Sequence, residues 1–348
     1  MAAQERDHEL SALRREAAAL PTGARPWCAG VVVLAGQGPA TLVEAAAGWA
    51  LRYAAHDAEL PRDRWLPART DTVFDLASLT KLCTAIVAVR CAERGLLSLD
   101  GPLGPYGLTP RQLLTHTSGL RPELPLYEHA DRDAMRRAVR DEPPLTAPGG
   151  PYRYSDLNML LLQDVLEDVT GLPLDRLVHD GITGPLGMAD TRFNPPAAWL
   201  PRIAATEDQR RPWAKLDRGM VHGAVHDENA YALGGVAGHA GLFGTAHDLA
   251  TLCRALLAGG GPVLSAASVD LLLTEPGLGF AVDQPWFMGG LAGRGAAGHT
   301  GFTGTSLVLD RATSSYLILL ANTVHPRRRE SGSAPRAAAG SRLARALG

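Results

Sequence analysis

Lysine is nearly missing from this chain. Of its 34 basic side chains only Lys81 and Lys215 are lysine; the rest are arginine. Arginine stays protonated in proteins, whereas a buried lysine can be tuned toward proton transfer. A lone lysine within FDLASLTKLC (74–83) therefore points to a task that arginine cannot perform. Cysteine is scarce too: Cys28, Cys83, Cys91 and Cys253 lie far apart with no C-x-x-C pair. That argues against a zinc site or a disulfide framework and for free buried thiols in a reducing compartment. Neither sign of charge is in excess, the net charge being −2, which leaves no footprint for nucleic acid or an anionic membrane. No run of about 20 apolar residues is present, so no membrane span is expected. The opening MAAQERDHELSALRREAAAL lacks the apolar segment of a secretory signal. As written the chain reads as cytoplasmic; a start further upstream would make it secreted.

The 348 residues are 46% hydrophobic, enough for one large domain or two smaller ones. Residues 1–24 read as an amphipathic helical extension with Leu10, Leu13 and Ala17 on one side. Residues 28–53 read as two strands joined by a Gly/Pro turn, and 298–310 and 314–322 as two more. Helical patterns fall at 77–95, 131–141, 156–170 and 246–258, two of them ending at Gly95 and Gly171. With strands at both ends and helices between, the expected class is α+β. One antiparallel sheet from both termini is flanked by helices, with a mainly helical subdomain inserted at about 95–290. The catalytic domain is set at 25–325, and 326–348 is read as an Arg-rich tail. The βαβ alternation of a dinucleotide-binding sheet is absent.

Three short motifs carry chemistry. Ser78 and Lys81 are three apart at a helix start, so hydroxyl and amine share a face. A serine hydroxyl becomes a competent nucleophile when a base takes its proton, and a helix N-terminus adds N–H groups suited to an oxyanion. YRYSDLN (152–158) offers Tyr154 as a second base, with Asp156 beside it, although a core tyrosine with a capping Ser155 or Asp156 fits the same residues. GHTGFTG (298–304) offers His299 and small residues that let a strand pass close to a ligand.

The order S-x-x-K, Y-S-x, H-T-G, at spacings of roughly 75 and 145 residues, resembles the serine β-lactamase and penicillin-binding protein superfamily. Within it the likeness is to the class C β-lactamase-related serine hydrolases and esterases. LLTHTSGL, PLGMADTRF and GVAGHAGLFGTAHDLA extend it over about residues 25–325. The resemblance implies a β-lactamase/DD-peptidase-like fold and a cofactor-free hydrolase acting through an acyl-enzyme on a small-molecule acyl substrate. It implies Ser78 as nucleophile and Lys81 and Tyr154 as its bases. The N–H groups of Ser78 and Phe302 would form the oxyanion hole, with Asp156, His299, Thr300 and Gly301 facing substrate. Two departures matter. Asp156 stands where lactamases usually carry Asn, and an ionised carboxylate there would hold Lys81 protonated and leave Tyr154 as the working base. Asn158 is an alternative source of the amide. His299 stands where penicillin-binding members usually carry the lysine that holds a substrate carboxylate, which directs the reading away from β-lactams and toward esters or amides lacking that carboxylate. The alternatives are a β-lactamase or D-Ala-D-Ala carboxypeptidase/aminopeptidase, and a silent binding or sensor protein of the same fold. Transfer to an acceptor other than water, and the oligomeric state, stay open.

His222, His226, Asp227 and His239 are metal-capable, but their Gly-rich setting and the lack of HExxH favour loop hydrogen bonds; no metal is expected. His116 reads as structural, and PRRRE (326–330) as a solvated run.

Overall fold

The computed structural model describes residues 3–329 and 332–348; Glu330 of the PRRRE run lies outside them. The two ends of the chain meet in one sheet. Strand Gly30–Gln37 pairs antiparallel with Ala40–Leu51 on one side and with Ser315–Ala321 on the other, in a register that runs from Val31↔Ala321 to Gln37↔Ser315. The full seven-stranded order is 281–282, 297–300, 306–310, 315–321, 30–37, 40–51, 66–67. This is the expected α+β arrangement, an antiparallel sheet flanked by helices with a helical region between its halves.

Antiparallel sheets often leave one face to water; this one does not. GVVVLAGQ is buried along nearly its whole length and SYLILLA along all of it. The two-residue period sorts their side chains: Val32, Leu34, Ile318 and Leu320 join the core shared with the inserted helices. Val31, Val33, Ala35, Leu317 and Leu319 join a second core on the opposite face. That second core is closed by the two terminal helices, Ala3–Ala19 and Ala334–Leu347, through Leu13, Ala17, Ala339, Leu343 and Ala344. Arg342 ties them together by pairing with Glu9 and Glu16. Residues 334–347, read only as part of an Arg-rich tail, are thus a packed helix. Their small apolar positions fit a surface that only the sheet supplies.

On the other face, TKLCTAIVAVRCAE (Thr80–Glu93) is buried from Thr80 to Val89, as expected of a helix that is apolar all round. Helix Asp156–Thr170 packs against it and stops at Gly171, whose φ of +67° is the left-handed cap that glycine permits. A small sheet absent from the sequence reading (strands 74–75, 192–193 and 242–244) holds the segment just before Ser78. All four cysteines are free and buried.

Candidate active site

Ser78 sits in a single 3-10 turn, Ala77–Leu79, that leads into the Thr80–Glu93 helix. The turn is held from three sides. Ala77 takes φ +49°, a left-handed conformation rare outside glycine, and its N–H donates to Asp75 Oδ1 at 2.9 Å. Asp75 Oδ2 accepts from the backbone N–H of His226 at 2.6 Å. The Asp75 carbonyl accepts from Thr303 Oγ1 at 2.8 Å, and that of Leu76 from Thr305 Oγ1 at 3.0 Å. One buried aspartate thus locks the Ser78 turn to the 226 loop, and its neighbouring carbonyls lock it to the 301–305 loop. Burial raises the Asp75 pKa despite its two N–H donors. Sequence reasoning passed over Asp75; its signal is the turn-forming Asp three residues before the serine.

Lys81 is completely buried, which excludes an ordinary solvated helix lysine. Its Nζ donates to Ser78 Oγ at 2.8 Å and to the carbonyl of His239 at 3.1 Å, and lies 2.8 Å from Asp156 Oδ1. Burial alone would lower the Lys81 pKa, but the Asp156 carboxylate and the Tyr154 phenol outweigh it and raise it. Burial likewise pushes Asp156 up, and Lys81 and His239 bring it below its ordinary value. The pair is therefore ammonium and carboxylate, with the ammonium hydrogen-bonded to Ser78 and the His239 carbonyl and ion-paired to Asp156.

From 76 residues further along the chain, the Tyr154 hydroxyl donates to Ser78 Oγ at 3.0 Å. The Lys81 ammonium lies 5.0 Å from the Tyr154 ring centre. The ring is sandwiched: His116 packs on it at 4.7 Å between centroids and His299 at 6.0 Å. Both histidines are neutral. Burial, then the Lys81 charge, lower His116 to about 3 and His299 to about 4. His116 Nδ1 accepts from the Ser155 N–H at 3.1 Å and meets Asn158 Nδ2 at 2.9 Å. Asn158 Oδ1 accepts from Ser118 Oγ at 2.6 Å. The Asn158 amide is thus spent on the LLTHTSGL loop and does not supply the missing amide. His116 and Asn158 together hold the start of the helix that carries Asp156 and the segment before it that carries Tyr154.

The opposite wall is strand Ala297–Thr300, with His299 opposite Leu307 and Thr300 opposite Ser306. His299 Nδ1 donates to the Thr300 carbonyl at 2.7 Å, which leaves Nε2 as a lone-pair acceptor. Gly301 is buried, and a Cβ on it would stand 2.1 Å from Thr305 Oγ1 and 2.6 Å from the Leu76 carbonyl. Glycine there lets the strand end press against the Ser78 turn, a close approach to backbone where sequence analysis expected one to substrate. Phe302 is 59% exposed and stacked on His226 at 5.6 Å. Among the described residues, the backbone N–H groups of Ser78 and Phe302 have no hydrogen-bond partner. The other histidines of the Gly-rich stretch disperse: His222 Nε2 meets the Ile203 carbonyl, His226 Nε2 Glu207, and His239 Nε2 Asp227.

The chain as a whole resembles known proteins. The sequence pattern of the family described as Beta-lactamase matches residues 15–341. A protein of Escherichia coli strain K12, provisionally named D-alanyl-D-alanine carboxypeptidase, is 32% identical over 320 residues, covering 78% of this chain and 73% of that one. A beta-lactamase/D-alanine carboxypeptidase from Yersinia pestis superposes with a TM-score of 0.72 at 19% identity, over 100% of this chain and 99% of that one. A hydrolase with promiscuous acyltransferase activity superposes with a TM-score of 0.71 at 20% identity, over 98% and 99%. Both structures share the fold described above. By the family match along nearly its whole length, this chain belongs to the beta-lactamase family.

Proposed function

We propose that this hydrolase of the beta-lactamase family cleaves a small ester through an acyl-enzyme on Ser78. The observation that carries the reading is the convergence of Lys81 Nζ and Tyr154 OH on one hydroxyl, at 2.8 and 3.0 Å. With Lys81 held as ammonium, the base is Tyr154 as phenolate, stabilised by the cation beside it. The phenolate takes the Ser78 proton and Oγ attacks the acyl carbon. The N–H groups of Ser78 and Phe302 receive the oxyanion. The Tyr154 hydroxyl then returns its proton to the departing alkoxide. A water repeats the cycle: Tyr154 removes its proton, hydroxide attacks the acyl carbon, and Ser78 leaves with the proton as the acid is released. No metal or cofactor enters this scheme.

His299 supports the ester over a carboxylate-bearing substrate. A neutral ring whose Nδ1 proton is already committed offers an acceptor where a carboxylate needs a cation. A second reading, D-Ala-D-Ala carboxypeptidase, draws support from the name of the relative that is 32% identical. Incubation with a fluorophosphonate probe followed by intact-mass spectrometry, then turnover of p-nitrophenyl esters, a D-Ala-D-Ala peptide and a chromogenic cephalosporin, tests all readings. An adduct on Ser78 with ester turnover supports the proposal. Peptide or cephalosporin turnover in place of ester turnover supports the alternatives, and no adduct supports a silent binding protein.

Two variants report on the walls of the site. Tyr154→Phe is expected to lower kcat/KM for an ester by about 10²–10⁴-fold, the range for loss of a general acid–base group; an unchanged rate would remove Tyr154 from the mechanism. His299→Lys is expected to lower KM for a carboxylate-bearing ester about tenfold relative to its neutral analogue. Equal KM values for the two would show that residue 299 does not face the acyl group.

A further inference from the structure

Behind Lys81 lies a second pair, a buried histidine with a half-buried aspartate, that the scheme above does not use. His239 is 2% exposed, and its Nε2 stands 2.9 Å from Asp227 Oδ1. A carboxylate oxygen of Asp156, one of Asp227 and a ring nitrogen of His239 all lie within 4.8 Å of one another. The His239 carbonyl is itself an acceptor for Lys81, so the four groups form one contiguous array. Its loop is bolted in place. Thr84 Oγ1 donates to the Gly238 carbonyl at 2.8 Å, the Gly238 N–H donates to Gln163 Oε1 at 2.9 Å, and the Leu242 N–H donates to Thr80 Oγ1 at 3.1 Å. Asp227 is fixed as well, accepting from the Ala230 N–H at 2.8 Å.

We propose that His239, held by Asp227, is a positioning residue that acts as imidazolium to balance the charge around Lys81, so that a second anion can form beside Ser78. The proposal rests on the hydrolase reading above. Two carboxylates against one ammonium would leave a net negative charge next to Tyr154, opposing a phenolate; a protonated His239 returns the array to neutrality. The electrostatics agree. Burial opposes protonation of His239, but Asp227 and then Asp156 raise its pKa above the ordinary imidazole value, Lys81 acting against them. The imidazolium therefore persists as pH rises past about 6.5, the range where a free histidine loses its proton. His226 and Arg218 also act on Asp227, His226 being paired with Glu207 and Arg218 facing Glu228. They leave the balance between the two carboxylates, Lys81 and His239 in place.

A charge role and a packing role differ in sign when mutations are combined. H239Q keeps a donor toward Asp227 but leaves the array at −1. It is expected to lower ester kcat/KM about 10–100-fold near neutral pH and to move the acidic limb of the pH profile alkaline by about one unit. The double variant H239Q/D227N restores neutrality with an amide pair and is expected to recover most of that loss and the wild-type limb. A double variant no better than H239Q would overturn the proposal, since packing defects add or worsen. Should H239Q not fold, ¹⁵N-histidine NMR of the wild-type protein decides. The ring perturbed by D227N is expected to carry protons on both nitrogens at pH 7, and a neutral ring there would overturn the proposal. If the wild-type protein neither labels at Ser78 nor turns over esters, the hydrolase reading fails while the NMR result still judges the array.

Discussion

Ser78→Ala abolishes ester turnover and probe labelling while leaving the thermal midpoint close to that of the wild type. The expected loss is on the order of 10⁴–10⁶-fold, the scale seen when a catalytic nucleophile is removed and only binding and the oxyanion donors remain. The two hydroxyls on the helix that follows Ser78 are committed elsewhere. Thr80 Oγ1 accepts from the Leu242 N–H and Thr84 Oγ1 donates to the Gly238 carbonyl, both on the side of the helix bolted to the 236–242 loop. The fold is spared because Ser78 Oγ serves only Lys81 and Tyr154. Lys81 retains Asp156 and the His239 carbonyl, so no buried charge is left alone. Stopped-flow ester hydrolysis with calorimetry checks both halves. Residual turnover within about 100-fold of the wild type would mean that another group is the nucleophile.

Lys81→Arg is expected to be nearly as damaging, about 10⁴-fold in kcat/KM, although the charge is kept. A guanidinium is a planar fork, whereas the three oxygens around Nζ come from the turn before its own helix, from Asp156 at the start of another and from the 239 carbonyl. They suit a compact ammonium at the end of a flexible stem. Lys81→Met separates chemistry from stability. Removing one member of a buried ion pair costs roughly 3–5 kcal/mol when both partners are enclosed, and less here because Asp156 keeps 24% of its side-chain exposure. Adding Asp156→Asn is expected to restore most of that stability and none of the activity. Urea unfolding of the single and double variants, beside their kcat/KM values, checks this. Activity in Lys81→Arg close to the wild type would refute the assigned role.

Much of this site was legible one residue at a time. The scarcity of lysine singled out Lys81, and the i, i+3 spacing put Ser78 beside it. The replacement of Asn by Asp156 led to the expectation of a protonated lysine, and the two side chains stand 2.8 Å apart. Other parts were legible in type but not in use. His239 and Asp227 were noticed as polar residues in a Gly-rich loop, yet nothing local says that the loop passes under the Thr80–Glu93 helix. Asn158 looked available as an amide because its partners, Ser118 and His116, are 40 and 42 residues away. The final helix was read only as part of an Arg-rich tail, because the sheet face that it covers is built by strands from both ends of the chain.

The amino-acid order by itself determined the local elements, since period, caps and glycine stops act within a few residues. It also determined which side chains could carry proton-transfer chemistry, because that is a property of residue type. Only the tertiary structure decided which of them meet. A phenol and an amine 73 residues apart share one hydroxyl, and the backbone carbonyl of His239 reaches the same amine, because sheet and helix packing closes those distances. It decided their charges as well, for burial and neighbouring ions, not residue type, set the proton affinities of Lys81, Asp156 and His239.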